Sequence, residues 1–184
     1  MPVKFAAYWI AIYTFIMKRW MWIAGIVGLS AVGGWWTNQE SSRDSTTRDK
    51  SGQITEAGDL GAFIIKVGDC ILLPNEWSEA GVDDYVEFIK LDGVPCTELH
   101  DVEIVSARTL PDGDFPGRDA LFGALSDFCV PAYEKYVGIP FDTDAPHDID
   151  IFIPSVVGWA EGDREIQCYA SLTSGEQMGA SIRG

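Results

Sequence analysis

Apolar and polar positions divide the chain into three zones. The first 36 residues are predominantly apolar, with a 13-residue stretch at Phe5–Met17 and an unbroken run from Trp20 to Trp36. Seventeen helical residues reach about 25 Å, slightly short of a hydrocarbon core roughly 30 Å thick. Tryptophans stand at both ends of the run, Trp20 and Trp22 at its start and Trp35-Trp36 at its close, as interface-seeking indoles do at the two edges of a bilayer. Lys18-Arg19 precede the run and Thr37-Asn38-Gln39-Glu40 follow it. The positive-inside rule then predicts a single transmembrane helix over 20–36, residues 1–19 in the cytoplasm and the rest of the chain outside. Phe5–Met17 is too short to span, and a translation start at Met17 would put residues 1–16 ahead of the working protein. A cleaved signal peptide is the competing reading; it would leave Trp35-Trp36 just after the cut, and an uncleaved anchor fits better.

The second zone, Thr37 to about Asp59, is rich in Ser, Thr and charge and has no hydrophobic period. It is expected to be a disordered stalk.

The third zone, 60–184, alternates in the manner of a folded domain. Phe63–Val67, Cys70–Pro74, Tyr85–Leu91 and Val102–Ala107 are expected strands, with turns at Gly68-Asp69, Asp92-Gly93 and Pro95-Cys96 and a loop over Asn75–Asp84. Leu121, Ala124, Leu125, Phe128, Ala132, Tyr133 and Tyr136 make one apolar helical stripe, with Cys129 at its edge, a kink expected at Pro131 and an end at Gly138. A loop through Pro140, Pro146 and His147 leads to a strand at Ile149–Pro154. Val156–Ala160 and Arg164–Ala170 are expected to form a hairpin around Glu161-Gly162-Asp163. In its second strand Ile166, Cys168 and Ala170 share one face, and Glu165, Gln167 and Tyr169 the other. Leu172–Gly184 is a polar tail. Strands, one helix and strands again predict an α+β fold, a small antiparallel sheet covered by one main helix.

Charge sharpens the zoning. Residues 1–37 carry Lys4, Lys18 and Arg19 and no acid; the remainder carries all 28 acidic residues and a net charge of −18, for −15 in all. A domain this acidic, without a Lys/Arg cluster, lacks what counterion release demands, which excludes nucleic acid as a partner.

All four cysteines, Cys70, Cys96, Cys129 and Cys168, lie in the acidic part, widely spaced and without a Cys-x-x-Cys motif. Their even number predicts disulfides in an oxidising compartment, although four cysteines allow three connectivities. Cys96 stands four residues before His100-Asp101, a spacing that a nucleophile pair or half a zinc site would also show. If the cysteines are paired, both chemistries disappear, and the expected role of His100-Asp101 is to orient the turn and cap the next strand. Asp69, Asp112, Asp114, Asp142, Asp144, Asp148 and Asp150 suggest calcium, but no EF-hand loop accompanies them and a solvated acidic face is the better reading. Trp159 is read as core. No phosphate-binding, dinucleotide-binding or nucleophile-elbow motif is present, so no catalytic residue, cofactor or metal is expected and the protein is read as a non-enzyme.

Several short motifs, taken in order, resemble the septum-formation domain of actinobacterial membrane-anchored envelope proteins. They are Val67-Gly68-Asp69-Cys70, Val94-Pro95-Cys96-Thr97 with His100-Asp101 and Glu103-Ile104-Val105, Phe115-Pro116-Gly117, Cys129 with Tyr133 and Tyr136-Val137-Gly138, Trp159 with Gly162-Asp163-Arg164 and Cys168, and the closing Ser181–Gly184. One departure is Leu99, where a proline before the His-Asp pair is expected. The resemblance implies an extracytoplasmic module of cell division, with the cytoplasmic membrane and an unidentified envelope or division protein as partners, and it supplies no catalytic residues. Asp69, His100, Asp101, Trp159 and Arg164 are its motif positions, expected to serve as structural turns or contacts. Within this frame the expected pairing is Cys70–Cys96, joining neighbouring strand ends, and Cys129–Cys168, pinning the helix onto the last hairpin. The alternatives are an accessory binding module of a transport or respiratory complex, and a thiol-dependent cell-wall enzyme using Cys96 and His100.

Overall fold

The computed structural model describes residues 43–75, 90–142 and 144–184. Among them no helix is long and apolar enough to cross a membrane; the expected 20–36 anchor lies outside the described residues.

Two strands near the start, β1 (Thr47–Arg48) and β2 (Ile54–Glu56), form a hairpin of their own. Six further strands make one antiparallel sheet: β3 (Gly58–Gly61), β4 (Cys70–Leu72), β5 (Lys90–Val94), β6 (Val102–Thr109), β7 (His147–Phe152) and β8 (Glu165–Leu172), in the order β3-β5-β4-β6-β8-β7. The helical stretch comprises α1 (Arg118–Phe122), a wide π turn (Leu125–Cys129) and α2 (Val130–Val137), and a one-turn helix α3 (Val156–Ala160) precedes β8. The α+β class and the single covering helix are as expected.

The interruption falls just before Pro131 rather than at it. Proline lacks an N–H and its ring clashes with the carbonyl four residues back, so the preceding turn opens to accommodate it. Gly138 ends α2 in the left-handed region, at φ 83°.

Both faces of the sheet are covered. Leu121, Cys129 and Tyr133 from the helical stretch pack on Ile166, Cys168 and Ala170 of β8. On the reverse face Ile54, Leu60 and Ile65 pack against Ile71, Ile104 and Tyr169. The facial division expected for β8 therefore holds, with a core on each side.

Four expectations are corrected. The described part of the 37–59 stalk is folded, because its apolar Ile54 is needed on the reverse face, and the domain starts before Leu60. Phe63–Val67 is not a strand: Ala62–Ile64 forms a tight turn, and the Asp69 carboxylate folds the chain back by accepting the Lys66 N–H at 2.7 Å. Asp92-Gly93 is no turn but lies inside β5, where a Cβ on Gly93 would sit 2.9 Å from Ile54 Cδ1; glycine permits the close approach of the hairpin. Val156–Ala160 is helical because the Ser155 hydroxyl accepts the Gly158 N–H at 2.9 Å, an N-cap that starts a turn where a strand was expected. Tyr85–Ile89 of the expected Tyr85–Leu91 strand and most of the Asn75–Asp84 loop lie outside the described residues.

Both expected disulfides form, Cys70–Cys96 and Cys129–Cys168, and no free cysteine remains. The first ties the start of β4 to the chain leaving β5; the second ties the π turn to β8.

Candidate functional site

The motif residues gather where β4 and β6 begin. Gly68 adopts φ +94°, a left-handed backbone conformation for which the turn requires glycine. Its N–H donates to Ile104 O, which seats the turn on β6 and delivers Asp69 into the interior. Asp69 is 2% exposed and accepts two hydrogen bonds from Arg48, at 2.5 and 3.0 Å. Asp69 is thus no part of a solvated acidic face.

Beyond the Cys70–Cys96 bridge, the turn at Pro95–Glu98 closes with a 2.8 Å bond from Glu98 N to Pro95 O, with Leu99 rather than proline next in line and exposed. His100 is fully buried and exchanges both backbone hydrogen bonds with Met178 of the C-terminal tail. Its Nδ1 lies 2.8 Å from Glu98 O. A carbonyl only accepts, so Nδ1 carries the proton and, in the neutral ring, Nε2 presents a bare lone pair. Nε2 is buried and has no hydrogen-bond partner among the described residues. Asp101 accepts from Leu73 N at 2.8 Å and from the Gln177 amide at 3.0 Å. It therefore caps the end of β4 and holds the tail, rather than capping the strand that follows it.

Next to His100 stands Glu103, fully buried on β6. Its carboxylate accepts from Tyr136 Oη at 2.5 Å, Ser181 Oγ at 2.7 Å and Ile182 N at 2.8 Å. Burial, and then the hydrogen bond to Glu103, push the Tyr136 hydroxyl up to about 12, while Arg183, stacked 4.7 Å from the ring centre, pulls it back. One carboxylate thus fastens helix α2 and the C-terminal tail to the sheet. The tail expected to be merely polar is folded in.

Potential ligand atoms of Cys70, His100 and Glu103 lie within 4.8 Å of one another. A disulfide sulfur carries no thiolate charge, which leaves His100 Nε2 and the remaining Glu103 lone pairs as donors. Cys96, bridged to Cys70, offers no free nucleophile beside His100.

Trp159 and Arg164 form a separate group. Trp159 is buried on α3, its indole N–H donating to Gly113 O at 2.9 Å and its ring packed edge-on against Phe115. Arg164 stacks 4.0 Å from the indole centre and donates to Trp159 O and Asp163 O at 2.6 and 2.7 Å. These contacts lock the turn between α3 and β8; Asp112 adds an ion pair at 3.3 Å that lacks hydrogen-bond alignment.

The sequence places Glu103 and Tyr136 in the motifs without a role at the site, and Arg48 in none. Glu103 had a signal, an acid in strand alternation on the same side as Val105. Arg48 had none, since it sits in a stretch with no apolar period.

Comparison with known proteins fits this geometry. A family model described as septum formation matches residues 67–184, which take in both disulfides and every residue of the two groups except Arg48. No curated protein and no solved structure matches the chain.

Proposed function

We propose that this chain, which belongs to the septum-formation family, is a membrane-anchored interaction module that works outside the cytoplasmic membrane in bacterial cell division, in the manner of actinobacterial envelope proteins. It acts by binding a division or cell-wall protein rather than by catalysis. The observation that carries this reading is how its motif residues are employed. Both cysteine pairs are cross-linked, Asp69 is paired with Arg48, and Glu103 holds the helix and tail. Residues committed in this way maintain a rigid scaffold, and recognition then falls to its surface. The apolar run 20–36, the basic flank before it and the −18 charge after it support the anchor and the orientation. Disulfides support an oxidising compartment.

Depletion of the protein from growing cells tests the reading. Septa are expected to be late, misplaced or missing, with rescue by the full chain and no rescue by a chain whose 20–36 run is replaced with a cleavable secretion signal. Normal septation on depletion overturns the proposal.

A further inference from the structure

The sheet ends on β7, which pairs with β8 and, among the described residues, with no strand on its other side. Open edges invite pairing, and proteins guard them with charge. β7 reads His147-Asp148-Ile149-Asp150-Ile151-Phe152, acid and aliphatic by turns. Its side chains divide accordingly. His147, Ile149 and Ile151 point to the helix-covered face, where His147 meets Tyr133 and Ile151 joins the core. Asp148 and Asp150 stand exposed on the reverse face. The Ile151 N–H is bonded at 2.8 Å to the Asp150 carboxylate. By the two-residue alternation of an antiparallel ladder, Ile149 and Ile151 therefore turn their backbone groups toward the open side.

Beside this edge lies a groove of about 360 Å³ lined by Phe122, Leu125, Ser126, Val130, Phe141 and Ile149. Its surroundings are acidic: Asp127 follows Ser126, and Asp142 and Asp144 follow Phe141, all exposed. Among the described residues Arg118 also stands nearby, 5.8 Å from the Phe122 ring centre.

We infer that the β7 edge and this groove receive an extended segment of a partner protein whose residues alternate basic and apolar. Added as a further strand, such a segment would set its apolar side chains on the Ile149 side, over the groove, and its basic side chains beside Asp148 and Asp150. Each cross-strand Lys–Asp pair is favourable, and like charges opposite one another are not. The same rule excludes a second copy of this chain: antiparallel β7–β7 pairing centred on Ile149 would place Asp148 against Asp150 twice. The pattern thus bars self-association while leaving the edge open to a basic strand.

This inference deepens the interaction-module reading and rests on it in the cell. Its test uses purified components, so that failure here leaves the septation experiment to stand or fall by itself. The full chain is titrated with a blocked seven-residue peptide alternating lysine and valine, with the same residues in block order, and with a glutamate-for-lysine version. The alternating lysine peptide is expected to bind and to shift the Ile149 and Ile151 amide resonances. Asp148→Lys with Asp150→Lys should weaken it about tenfold and confer binding of the glutamate peptide. Asp148→Asn with Asp150→Asn, which leaves the surface polar, should give an intermediate loss and guards against misfolding of the double reversal. Absence of binding, equal binding of the block-order peptide, unchanged affinity in both variants, or self-association of the wild-type chain through β7 would each overturn it.

Discussion

Arg48 reaches across 21 residues to grip Asp69 through two guanidinium nitrogens, at 2.5 and 3.0 Å, with Asp69 2% exposed. The pair fastens the β1–β2 hairpin to the turn that carries the first disulfide. Removing one partner of a buried pair strands the other charge, whereas removing both relieves it. Arg48→Met is therefore expected to cost about 3 kcal/mol in chemical denaturation, and Arg48→Met with Asp69→Asn appreciably less than the two single changes together. Additive losses would show that the pair is not coupled.

The Glu103 carboxylate gathers the Tyr136 and Ser181 hydroxyls and the Ile182 N–H in an interior fully closed to solvent. Glu103→Ala leaves three donors without an acceptor and should destabilise by about 3 kcal/mol. Faster hydrogen exchange is expected at Ile182 and Gly184, whose N–H bonds to Tyr136 O at 3.2 Å. An unchanged exchange pattern would mean that the tail is held by other contacts.

Each disulfide closes a loop in the unfolded chain, 26 residues for Cys70–Cys96 and 39 for Cys129–Cys168. Loop-closure entropy assigns them about 3.5 and 4 kcal/mol respectively. Paired Cys→Ala variants should lower the denaturant midpoint in that order, and peptide mapping of the unreduced protein should return these two bridges. A reversed order would place native-state packing above loop entropy.

Two groups link stability to pH at opposite ends. Tyr136 is raised from its ordinary value of 10 to about 12, first by burial and then by Glu103. The folded state holds that proton more tightly, so the contribution is complete below pH 10 and is lost as the pH rises toward 12. Burial lowers His147 from the ordinary histidine value of 6.5, against a weaker upward pull from Glu103. The unfolded chain binds that proton more tightly, so stability falls as the pH drops from 6.5 through the folded value. Tyr136→Phe should blunt the alkaline loss and His147→Gln the acid one in melting curves across pH. Loss curves identical to wild type would assign the dependence to other groups.

Sequence made the sheet, the covering helix and the disulfide framework legible because each leaves a local trace: β-rich runs between turn residues, a 3.6-residue stripe, and an even cysteine count. What escaped was held by contacts far apart in the chain. The Arg48 segment looks solvated until Asp69, 21 residues on, draws it in. Val156–Ala160 has the β-branched start of a strand, yet the Ser155 cap makes it a helix. At the site, Asp69, His100 and Asp101 were visible as motif positions, while Glu103 and Tyr136 acquire their roles only when β6 and α2 meet.

The most direct measurement is the position of the full chain in dividing cells, tagged with a fluorophore that matures in an oxidising compartment. The proposed role predicts signal in the membrane that concentrates at the division site as the septum forms. A uniform membrane signal through division, or signal in the cytoplasm, would contradict it.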